Sequence, residues 1–274
     1  MSTASNNPVD FCYRHPSSRS YVLCQRCGRT ICPSCQTQAS VGVHCPECVK
    51  EARQNAPKRQ SAVVSAFRTS SNQPVVSYTL IGLTVLVYIL QLIPGSEVSR
   101  YLTYYPALTS VEPWTMLTAL FVHGSIFHIL VNMYSLLIFG PILERLVGRS
   151  RFLALYLIAG FGGSVAVLIL APDRGVLGAS GAIFGLLGAF FVIQRRLGGN
   201  NIQLLLVIGL NLAIGFVLPG ISWQAHLGGL LAGGAVALVY LQTRQANQKH
   251  TQILMVTGIA VALIAATVVR VFAG

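Results

Sequence analysis

The sequence predicts an all-α protein that crosses a bilayer several times, preceded by a small cysteine-rich module. Three observations carry this. Hydrophobic residues make up 53% of the 274 positions and charged residues only 9%, against roughly 25% charged in soluble domains. Seven apolar segments approach the about 20 residues needed to span a membrane. All seven cysteines fall between Cys12 and Cys48, so composition changes abruptly near residue 50.

In order, residues 1–50 form the polar module and residues 51–74 a basic, serine-rich linker ending at Pro74. The predicted spans are Val75–Ile93, Ser125–Leu143, Phe152–Ala171, Gly178–Ile193, Ile202–Leu218, Trp223–Leu241 and Ile253–Val269. The fourth is short and the second is interrupted by polar residues. A large soluble core would need amphipathic helices to cover it, and these segments are apolar on all faces. No apolar stretch in the first 70 residues has the length of a signal-peptide core.

The net charge of +12 invites a nucleic-acid reading, but the basic residues are scattered singly or in pairs, without an aromatic-interleaved stripe. Nucleic acid is therefore not an expected partner. The basic residues instead assign topology. With the N-terminus in the cytoplasm, Lys50, Arg53, Lys58, Arg59, Arg68, Arg145, Arg149, Arg151, Arg195, Arg196, Arg244 and Lys249 lie inside, and only Arg100, Arg174 and Arg270 lie outside. The positive-inside rule favours that arrangement, which puts the cysteine module in the cytosol and the C-terminus outside the cell membrane.

In the module, Cys12 and His15, Cys24 and Cys27, Cys32 and Cys35, and Cys45 and Cys48 are pairs at two-residue spacing. Eight such donors suit two tetrahedral zinc ions. An odd number of thiols in a reducing compartment argues against disulfides. Only four residues separate Cys27 from Cys32, which favours an interleaved pairing: Cys12, His15, Cys32 and Cys35 on one ion, and Cys24, Cys27, Cys45 and Cys48 on the other. His44 remains an alternative to Cys45, although it breaks the spacing. The module resembles cross-braced B-box or RING-like zinc modules. Its expected role is to bind a cytosolic protein or regulate the rest of the chain; a purely structural cap is the alternative.

Polar residues inside a membrane are costly and mark function. Here they gather at one depth, near the outer ends of three spans. His128 and Asn132 are four apart on the second span, with His123 just before it; Ser180 starts the fourth span and His226 starts the sixth. Gly181 and Gly185 on the fourth span, and Gly229 and Gly233 on the sixth, form small-residue faces that let backbones approach. That contact would bring the Ser180 hydroxyl to the His226 imidazole, the pairing an activated nucleophile needs.

Three motifs in this order, HGSIFHILVN (His123 to Asn132), GASG (Gly178 to Gly181) and AHLGG (Ala225 to Gly229), resemble those of the rhomboid intramembrane serine proteases. Trp114 and the Glu144–Arg145 pair also resemble family features, and the likeness runs from Val75 to Leu241. It implies a six-helix catalytic core over 75–243 with a seventh helix in 244–274. It also implies Ser180 as nucleophile, His226 as general base, and an oxyanion site made by His128, Asn132 and the Ser180 backbone N–H. No cofactor is implied for catalysis, and the substrates would be transmembrane proteins within the lipid bilayer. Thr115 stands where the family often has Arg. Phe184 stands where a Tyr often packs on the catalytic imidazole; a phenyl ring can still stack there. A non-catalytic rhomboid-like binder of membrane clients is one competing reading, although Ser180 and His226 are both present. A transporter with a zinc-sensing domain is another, although no repeat relates the two halves.

Overall fold

The computed structural model describes residues 10–39, 41–55, 73–198, 201–217 and 220–273. The chain divides into two compact units, residues 1–61 and 62–274.

In the first unit a two-stranded antiparallel ribbon, β1 (Thr37–Gln38) and β2 (Val43–His44), pairs Thr37 with His44. Isolated bridges join Phe11 to Arg19 and Leu23 to Thr30. Helix α1 (Pro46–Asn55) follows and runs five residues beyond the module end expected at residue 50. Residues 56–72 of the expected linker lie outside the described residues. The buried apolar cluster of this unit consists of Ile31 and six cysteines. Such a cluster offers little hydrocarbon to bury.

The second unit is helical. Its long helices are α2 (Val75–Gln91), α5 (Ile126–Val147), α6 (Arg149–Leu170), α7 (Ser180–Arg196), α8 (Ile202–Val217), α9 (Trp223–Gln242) and α10 (Lys249–Phe272), with short α3 (Val98–Leu102) and α4 (Thr115–Thr118) between α2 and α5. Each of the seven predicted spans overlaps one long helix, and five of the helices run past the expected bounds. Of these helices, α5, α6, α9 and α10 are long and apolar enough to cross a membrane; α2 and α8 are apolar but have only 17 and 16 residues. The 17-residue α7 carries Arg195 and Arg196 in its last turn. Seventeen residues rise about 26 Å, at the lower limit of a span. The protein is thus a multi-pass membrane protein with an α-helical bundle.

Helix α7 is the centre of that bundle: residues 181–190 are buried without interruption. It is gripped by α6 and α9, which also pack on each other. Glycine makes this possible. A Cβ on Gly229 would strike the Gly181 carbonyl, and one on Gly233 the Gly185 carbonyl. On the α6 side, a Cβ on Gly163 would lie 2.8 Å from the Ala225 carbonyl oxygen. By contrast α10 buries only Gln252, whose amide donates to the Thr243 carbonyl at 3.0 Å and hydroxyl at 2.8 Å.

A buried carboxylate fixes the start of α2. Glu144, in the last turn of α5, accepts from the Val76 N–H at 2.9 Å and from the Ser77 N–H and hydroxyl at 2.7 Å each. No side chain of its own caps α2, which begins after Pro74. Glu144 therefore supplies both the missing acceptor and a negative charge at the positive end of the helix.

Candidate active site and metal centres

The GASG turn places Ser180 as the first residue of α7. Gly178 sits at φ +114°, a conformation L side chains rarely adopt, and a Cβ there would lie 2.7 Å from the His128 ring. The connector before it is stitched down. Tyr104 and Val176 exchange backbone hydrogen bonds at 3.1 and 2.8 Å, and the Gly178 N–H donates to the Ala119 carbonyl at 2.8 Å. Ala179 precedes the helix without any side-chain cap, so the first-turn amides of α7 have no capping side chain as partner.

Ser222 caps α9, accepting from the Ala225 N–H at 3.2 Å, and sets the register that turns buried His226 inward. The Phe184 ring stacks on the His226 imidazole with centroids 4.1 Å apart and planes at 9°. His226 Nδ1 is buried without a hydrogen-bond partner among the described residues. Stacking, rather than an acidic neighbour, thus orients the ring. Ser180, His226, His128 and Asn132 all line one cavity of about 640 Å³. The Asn132 amide also donates back to the His128 carbonyl at 2.8 Å.

His123 is not among the residues lining that cavity and is built into the scaffold behind it. Its Nε2 accepts from the Ala179 N–H at 3.4 Å, and its ring meets the edge of His128 with centroids 4.9 Å apart. Gln91, the last residue of α2, grips the His123 backbone at both ends: Oε1 accepts from its N–H at 3.1 Å and Nε2 donates to its carbonyl at 3.2 Å. Sequence reasoning passed over Gln91; a lone amide ending an apolar run was the available signal. Trp114 is half exposed and donates from Nε1 to the Tyr101 carbonyl at 3.3 Å, while Thr115 is buried and donates to the Glu112 carbonyl at 2.6 Å.

In the first unit, the donor atoms of Cys12, His15, Cys32 and Cys35 lie within 4.8 Å of one another, and so do those of Cys24, Cys27, Cys45 and Cys48. His44 belongs to neither group. His15 Nδ1 is 3.3 Å from the sulfurs of both Cys32 and Cys35, and the Cys27 and Cys45 sulfurs are 3.7 Å apart. Four sulfurs at about 2.3 Å from a tetrahedral ion stand about 3.8 Å from each other, so both sets fit a metal ion. All seven cysteines are free thiols. The Arg29 guanidinium donates to Cys27 Sγ at 3.3 Å and draws that thiol down to about 6. The same guanidinium lies over the Tyr13 ring.

Comparison with known proteins agrees with this architecture. Residues 110–243 match the rhomboid domain family. The chain is 37% identical to the mitochondrial RHOMBOID-like protein 6 of Arabidopsis thaliana, over 50% of this chain and 46% of that protein. It is 34% identical to rhomboid protease GluP of Bacillus subtilis (strain 168), over 60% of this chain and 34% of GluP. It is 29% identical to YdcA of the same bacterium, over 63% of this chain and 91% of YdcA. The match spans under half the length of the first two relatives. Residues 110–243 thus match a rhomboid domain, and proteins named rhomboid protease are among the relatives of that region.

Proposed function

We propose that this chain is an intramembrane serine endopeptidase that cleaves membrane proteins in or near their transmembrane segments, using a Ser180–His226 dyad. The observation that carries this is that Ser180 and His226 line one cavity, on two helices whose glycine faces touch. Similarity to a relative named rhomboid protease supports the same chemistry.

In the proposed reaction the Ser180 oxygen attacks the scissile carbonyl as its proton passes to the His226 imidazole. The carbonyl oxygen becomes an oxyanion, held by the Ser180 N–H, the His128 ring and the Asn132 amide. The imidazolium then gives its proton to the departing amine as the C–N bond breaks, leaving an acyl-serine. A water molecule in the cavity, deprotonated by the imidazole, attacks that ester; the acyl C–O bond breaks, the peptide leaves as its carboxylic acid, and the imidazolium returns the proton to the Ser180 oxygen. Phe184 takes over the orienting work that a carboxylate does in a three-residue site, and costs the membrane interior no buried charge.

Zinc is the ion this donor chemistry suits, one per cluster, with a structural role: joining the knuckles would supply the folding energy a cysteine core lacks. The N-terminal unit is assigned to the cytosol and the C-terminus to the outside of the cell membrane, with Ser180 near the outer boundary. The unit's partner would then be a cytosolic protein.

The test is a single-span reporter substrate in proteoliposomes together with a fluorophosphonate probe. The wild type should cleave the reporter and be labelled at Ser180, and Ser180→Ala should do neither while keeping its helical content. Continued cleavage by Ser180→Ala would refute the dyad. Absence of both cleavage and labelling in well-folded wild type would favour a non-catalytic client binder.

A further inference from the structure

The residues lining the catalytic cavity include one with a formal charge, Arg174. It lies on the connector between α6 and α7, and it also lines a second cavity of about 550 Å³ beside the first, with Phe216, Trp223 and Gln224. Its backbone is held firmly. The Arg174 N–H donates to the Ala171 carbonyl at 3.1 Å, and Val176 is paired with Tyr104 two residues later. Gly175, between them, sits so close to the Tyr105 ring that a Cβ could not fit. The side chain itself is exposed.

No carboxylate pairs with Arg174 among the described residues. Arg100 is engaged by Glu112 at 3.5 Å. Asp173 lines only the second cavity and makes no ion pair with its neighbour. An unpaired guanidinium on a fixed backbone, at the mouth of an otherwise uncharged and partly apolar cleft, is a selector for negative charge.

Resting on the protease reading above, we propose that Arg174 determines substrate choice: the preferred substrates carry an acidic side chain flanking the scissile bond on the side of the α6–α7 connector. The spacing limits where that side chain can be. Ser180 lies six positions after Arg174 along the chain, a stretch of at most about 20 Å. A substrate strand running beside the connector therefore presents its carboxylate within about six residues of the cleaved bond.

The experiment uses the full chain in proteoliposomes of neutral lipid and three single-span substrates. These differ only in carrying Glu, Gln or Lys at the flanking positions. Wild type should cleave the Glu substrate with a kcat/KM at least about tenfold above the Lys substrate, and added salt should narrow the gap. Arg174→Glu should invert the order, and Arg174→Gln should flatten it. The same order in Arg174→Glu and Arg174→Gln as in wild type would overturn the proposal. So would an equal loss on all three substrates that anionic lipid modulates, because Arg174 would then be a lipid anchor. Failure of the protease reading is seen separately, as cleavage surviving Ser180→Ala or wild type that cleaves none of the three, and it would take this proposal down with it.

Discussion

Replacing Gly229 by alanine adds one methyl group at the point where α9 crosses α7. That methyl would collide with the Gly181 carbonyl and stand 2.7 Å from the carbonyl carbon. Ordinary contact between those carbons needs about 3.6 Å, so the helices must part by roughly 1 Å; overpacking of this kind typically costs 1–3 kcal/mol. Gly181 follows Ser180 directly, and Gly229 lies one turn after His226. The separation therefore falls on the proposed dyad, where about 1 Å of misplacement lowers a rate by roughly 100-fold. The assay is kcat on a single-span substrate, together with the midpoint of thermal unfolding in detergent. Gly258→Ala is the control, since nothing lies within 4 Å of its Cβ position; there the better helix former should be neutral or add up to about 1 kcal/mol. Gly229→Ala with full activity and an unchanged midpoint would show that the glycine crossing does not set the site.

Phe184→Ala should lower kcat by roughly tenfold, the worth of a lost aromatic stack, while Phe184→Tyr should retain activity; kinetics of the purified variants would check both. Glu144→Ala strands the Val76 and Ser77 N–H groups of α2 and should destabilise the helical unit by about 2–4 kcal/mol, read as a lower thermal midpoint. Chelation should release two metal ions per chain and expose all seven thiols to a thiol reagent. It should leave the thermal midpoint of the helical unit and its probe labelling unchanged; loss of labelling on mild chelation would show that the two units are coupled.

Much of this arrangement was legible because membrane and metal impose strict periodicities. Each apolar run became a helix, and the glycine faces of the fourth and sixth spans meet as their spacing demanded. The four-residue gap between Cys27 and Cys32 pointed to interleaved sets, and the two donor clusters have that composition. Helix ends were less legible: α10 starts at Lys249, four residues before the expected Ile253, because a long basic side chain can sit in a helix while its charge reaches the interface. Contacts between distant residues were not legible at all. Nothing local announces that Glu144 caps a helix 67 residues upstream. The small residues of the third span carried no such reading in the sequence; only the packed bundle shows Gly163 against Ala225 and Gly162 against Ala232. The 94–124 loop kept its two short helices hidden, since four or five residues carry no period.

Gln91 is the closing residue of α2, and helix ends are where a chain ordinarily loosens first. Its amide nevertheless holds the peptide whose imidazole receives the Ala179 hydrogen. Fraying of that last turn would travel bond by bond to the residue just ahead of the reacting alcohol. The chain has thus moored its most exacting piece of geometry to an ordinarily restless terminus, and steadies each by tying it to the other.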